Sequence, residues 1–162
     1  MLRSCVHIAL LMLAFSPLAV GCRDKPKQPG GSSGEDAQVT TLGSIEVTAR
    51  LVEVPEGAIF KRDLYDYATI LKYEVIKTHR GQVHASTIYV GQYNPFKPRD
   101  QAADRRVKGI GGTAKSFTGG QVHRMALEVP LDDHFMGGIV KKFFGKQTGP
   151  LYWAVWTNSV EP

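Results

Sequence analysis

The chain has almost no cysteine: Cys5 and Cys22 are the only two, and none follows from Arg23 to Pro162. A domain built from that long remainder has no disulfide, no thiolate nucleophile and no thiolate-ligated metal, so several enzyme classes drop out together. Excess charge is modest too. Lys and Arg number 20 against 15 Asp and Glu, leaving +5. That falls short of the concentrated positive field of nucleic-acid binders, so nucleic acid is not an expected partner, whereas an anionic surface such as lipid headgroups is. Long apolar runs are also missing. The longest, about Ile8 to Val20, contains Pro17 and is shorter than the roughly 20 residues of a membrane-crossing helix. What remains is 43% hydrophobic residues, the ordinary content of one globular domain.

Arg3 ahead of that run and small residues behind it read as a secretory signal. Leu18-Ala19-Val20-Gly21-Cys22 resembles the lipobox of bacterial lipoproteins. The resemblance implies that residues 1–21 are a signal peptide and that Cys22, alkylated by a diacylglyceryl group, becomes the new N-terminus. The protein would then sit in the bacterial cell envelope, anchored to a membrane through lipid and facing the periplasm or the exterior. Residues 22–38 read as anchor and flexible linker, because Arg23 to Gln38 is rich in Pro, Gly, Ser and charge, with Ala37 its only apolar residue.

From 39 to 162 the periodicity is mostly that of strands. Ile45, Val47, Ala49 and Leu51 alternate with polar residues. Tyr67 to Thr78 and Ser86 to Tyr93 flank the turn signal His79-Arg80-Gly81-Gln82 and predict a hairpin. His123 to Val129 repeats the alternation, with Met125, Leu127 and Val129 inward, and Leu151 to Thr157 reads as a buried last strand. One stretch has helical spacing instead: Phe135, Met136, Ile139, Val140, Phe143 and Phe144, between Asp132-Asp133 as N-cap and Gly145 as C-terminal stop. The expected fold is mainly β, a small antiparallel barrel or sandwich of about five strands with one short helix near the C-terminus.

The first strand, the hairpin with Val75-Ile76-Lys77 and Arg80-Gly81, and the ending with Gly149, Tyr152 and Val155 resemble netrin-type modules related to metalloproteinase inhibitors. That resemblance implies an OB-like barrel. The family's N-terminal cysteine and cysteine pairs are lacking, so it implies nothing about protease inhibition.

Candidate chemistry is sparse. Gly109-Ile110-Gly111-Gly112-Thr113-Ala114-Lys115-Ser116 is glycine-rich like a phosphate-binding loop. It has Ala114 where the second required glycine belongs, and lacks the preceding strand and following helix. Around it, Lys97, Arg99, Arg105, Arg106, Lys108 and Lys115 face only Asp100 and Asp104, a basic surface loop suited to an acidic partner. No nucleophile elbow surrounds Ser86, Ser116 or Ser159. His79, His84, His123 and His134 are the only weak metal-ligand candidates, and they lack ligand spacing. Trp153 and Trp156 are candidate stacking residues, which strand alternation sends to opposite faces. The expectation is a lipid-anchored envelope binding or assembly module without catalytic activity or cofactor, its partner an envelope protein or an acidic glycan. Binding residues would be Arg105, Arg106, Lys108, Lys115, Trp153 and Trp156. A histidine-based metal-binding accessory protein or enzyme and a glycan-binding module are the alternatives.

Overall fold

The computed structural model describes residues 36–55, 67–135, 140–141 and 149–161. The proposed leader, Cys22 and most of the linker therefore lie outside the described residues. Among the described residues no helix is long and apolar enough to cross a membrane.

The strands are β1 (Ile45–Glu53), β2 (Ala68–Arg80), β3 (Thr87–Tyr93), β4 (Val122–Glu128), β5 (Val140–Lys141) and β6 (Leu151–Val160), with short helices α1 (Ala37–Thr41) and α2 (Leu131–His134). The order β1-β4-β6-β3-β2 returns to β1 through a β1–β2 pairing, closing a five-strand barrel with OB-like connectivity, and β5 adds a short parallel strand to β2. Within the barrel only β3 and β6 run parallel, and they share just three residue pairs, Tyr89↔Leu151 to Gly91↔Trp153.

Closure follows from the alternation. Ile45, Val47, Ala49, Leu51, Leu71, Tyr73, Ile88, Val90, Met125, Leu127, Tyr152 and Ala154 fill the interior. A second cluster forms outside the wall, where Ala68, Ile70, Tyr93 and Trp153 are covered by Ala102, Ile110, Leu131 and Phe135. Buried on both faces, β6 reads as a nearly continuous apolar run.

The predicted hairpin forms with a longer connection than its turn signal implies. β2 pairs with β3 from Ala68↔Tyr93 to Glu74↔Thr87, while its outer half, Val75 to Arg80, pairs with β1.

The helix expected between Asp132-Asp133 and Gly145 is corrected. α2 begins after Pro130, which makes no side-chain cap bond; Asp132 and Asp133 lie within its first turn, and it ends at His134. Phe135 leaves the helix and stacks on Trp153 with ring centres 5.2 Å apart, and Val140–Lys141 is strand β5. Packing against existing sheet overrides the weak helical preference of a stretch containing Gly137-Gly138. Residues 136–139 and 142–145 of that prediction lie outside the described residues.

Candidate functional site

The basic segment between β3 and β4 keeps Arg105, Arg106, Lys108 and Lys115 at the surface, but from Gly111 to Ala114 it is built into the wall. Gly111 bonds to β6 in both directions, its N–H donating to Val155 O at 3.0 Å and its carbonyl accepting from Thr157 N–H at 2.9 Å. Ala114 N–H donates to Thr157 O, Thr113 N–H to Asn158 Oδ1, and Ser159 N–H to Thr113 Oγ1. The glycines are there for close approach. A Cβ on Gly111 would lie 2.6 Å from the Trp156 ring, and one on Gly112, whose φ is +131°, only 1.9 Å from Thr157 O. The glycine-rich sequence thus extends the sheet beside β6 at the wall's narrowest parallel junction.

The tip of this segment is held by Asp104. Its Oδ1 accepts from the amides of Arg106 (2.7 Å) and Val107 (2.8 Å), and its Oδ2 accepts from the Tyr93 hydroxyl at 2.7 Å. Burial opposes that carboxylate's charge, but the bonds from Tyr93, Val107 and Arg106 outweigh it and hold its pKa below 3.8. On this frame Arg105, Arg106 and Lys108 are exposed. Lys115 is exposed as well and pairs with Asp100 at 2.7 Å.

Arg99 departs from the basic surface set altogether. It is 1% exposed. Its amide donates to Ala114 O and its Nη1 donates to Tyr93 O at 2.6 Å, while Nε and Nη2 have no hydrogen-bond partner among the described residues. The guanidinium lies over Phe117, 5.8 Å from the ring centre, and Phe117 packs edge-on to His123 at 5.2 Å. Burial lowers the Arg99 pKa to about 10, which leaves it charged at neutral pH. Apolar flanks at Ala102, Ile110 and Ala114, all buried, are the sequence signal that this loop enters the fold.

The four histidines do not converge. His123 is fully buried, its Nδ1 is 3.1 Å from the Tyr73 hydroxyl, and its Nε2 has no partner among the described residues. Burial first and Arg99 second push its pKa down to about 4. His79 Nε2 lies 2.8 Å from Thr48 Oγ1; burial and Arg124 lower its pKa against an opposing effect of Glu46. His84 is exposed in the β2–β3 connection and His134 is exposed at the end of α2. Among the described residues no group of three or more His, Cys, Asp or Glu side chains gathers to hold a metal.

Trp153 and Trp156 share the outer face, contrary to strict alternation. A bulge at Val155 is the reason: Leu127 pairs with Ala154 and Ala126 with Trp156, so one residue is skipped. Trp153 is 3% exposed beneath Phe135 and presents no free ring face. Trp156 is half-buried against Gly111, and its Nε1 donates to Asp36 Oδ2 at 2.8 Å.

Asp36 also accepts from Asn158 Nδ2 (2.9 Å) and from the Gln38 amide (2.6 Å), capping α1. Burial works against its charge, but the bonds from Asn158, Trp156 and the Gln38 and Val39 amides prevail and lower its pKa. Val39 is fully buried behind it. The chain therefore enters the domain at Trp156, the residue that also backs the base of the basic segment. No family model, no curated protein and no solved structure matches this chain.

Proposed function

We propose that the protein is a lipid-anchored binding or assembly module of a bacterial envelope, acting by contact rather than catalysis. The lipobox-like Leu18 to Cys22 supports the anchor. The observation that carries the rest is the shared position of Trp156, which touches Gly111 at the base of the basic segment and Asp36 where the linker joins the domain. The lipid anchor proposed at Cys22 lies only 14 residues ahead of Asp36. It delivers the exposed Arg105, Arg106 and Lys108 toward the surface that holds the lipid. Each such residue contributes about 1 kcal/mol near an anionic surface. The fixed Asp104 turn limits the ordering entropy that binding must overcome.

In cells, a photo-cross-linking residue at Arg106 should trap an acidic envelope protein or glycan, and the same residue at exposed Ile76 on β2 should trap much less. Cross-linking from Ile76 alone would contradict the proposal. The Cys22→Ala chain should leave the membrane fraction, and an intact mass showing an unmodified Cys22 in the native protein would remove the anchor.

A further inference from the structure

Most side chains inside the barrel are apolar, yet one part of its interior is polar. Tyr73, Gln92, His123 and Thr157 are all buried there, with Gln92 Nε2 donating to Thr157 Oγ1 at 3.0 Å, and Arg99 reaches the same region over Phe117. A buried guanidinium is costly unless an anion or a full set of acceptors meets it. No carboxylate of the described residues forms an ion pair with Arg99.

The way in which Arg99 is left unsatisfied is specific. Nη1 is used by Tyr93 O, whereas Nε and Nη2 have no acceptor among the described residues. Those two nitrogens form the side edge of the guanidinium, the fork whose parallel N–H bonds match the two oxygens of a planar oxyanion. His123 adds a third group. Its Nδ1 is paired with the Tyr73 hydroxyl, and its Nε2 has no partner among the described residues; in the tautomer where Tyr73 donates to Nδ1, the ring proton is on Nε2. Phe117 packs against both groups. The half-buried Phe117 is the exposed side of this arrangement.

We propose that this polar interior is a binding site for a small carboxylate, held bidentately by Nε and Nη2 of Arg99. It is separate from the exposed basic segment and does not depend on the envelope proposal. Charge alone would not define it. A bidentate fork selects a planar oxyanion over a spherical ion, so formate should bind more strongly than chloride at equal ionic strength.

The test uses the purified full-length chain in detergent at pH 7, titrated with sodium formate or sodium chloride at constant ionic strength. Formate should raise the unfolding temperature in a saturable way, by about 5 °C when the site is filled, and should shift the Arg99 Nε–H resonance in a nitrogen-edited spectrum. Chloride should do neither. Arg99→Lys keeps the charge but loses the fork, and should lose the formate response. If that variant does not fold, the wild-type Nε–H resonance decides. An Nε–H signal unmoved by formate, or equal responses to formate and chloride, would overturn the proposal and assign the open donors to water.

Discussion

His123 sits uncharged in the barrel, so protonating it opposes folding. Its pKa falls from 6.5 to about 4 on folding, chiefly through burial and next through Arg99. The stabilisation is complete above the unfolded value and is lost as pH falls from 6.5 toward 4, by about 3 kcal/mol in all. Asp36 and Asp104, with pKa values held below 3.8, lose their contribution only at lower pH. Urea unfolding from pH 7.5 to 4 should show this slope in the wild type and a markedly shallower one in His123→Gln, where His79, whose pKa is also lowered, supplies the remainder. Equal slopes would contradict the buried neutral imidazole. Backbone positions give a second prediction. Gly112→Ala forces a Cβ onto Thr157 O and should cost about 3 kcal/mol. Gly109→Ala, with φ +74° and nothing within 4 Å, should cost about 1 kcal/mol. Chemical denaturation of the two variants distinguishes a built wall from a free loop. None of this was readable from charge: Arg99 looks in sequence like its exposed neighbours Arg105 and Arg106, because a charge run does not record which member turns inward.

Strands were readable wherever one face meets the interior, as in Ile45 to Leu51 and Met125 to Leu127, because period-two alternation is a direct imprint of burial. The readings failed where other contacts set the geometry. The bulge at Val155 reverses the expected facing of Trp153 and Trp156, and nothing local in Leu151 to Thr157 marks it. The aromatic spacing after Asp133 mimics a helix, although Phe135 is placed by Trp153. Asp36 is the clearest tertiary addition, since a charged residue in a Gly- and Ser-rich stretch reads as linker until its partners Trp156 and Asn158 are known. Asp36→Ala removes the α1 cap and two side-chain bonds, and should cost about 1–2 kcal/mol. The Trp156 indole N–H resonance should move at the same time. An unchanged resonance and stability would detach α1 from β6.

At the scale of the molecule, a mainly β fold, barrel or sandwich, was legible from alternation, but its closure was not. Three residue pairs join β3 to β6, and the Gly111 to Ala114 segment extends the pairing along β6. Closing the wall this way also fixes the base of the segment that carries the exposed Arg105, Arg106 and Lys108. The most direct test of the proposed binding role compares residues 23–162 with the Arg105→Gln, Arg106→Gln, Lys108→Gln triple variant. Both are titrated against phosphatidylglycerol vesicles and against an acidic envelope polysaccharide, at 50 mM and 300 mM salt. The wild-type chain should bind at least one of these at low salt and lose affinity at high salt. The triple variant should bind about 100-fold more weakly at low salt while unfolding at the same denaturant concentration, since exposed charges add little to stability. Equal affinity of the two chains, or binding that does not respond to salt, would contradict the account.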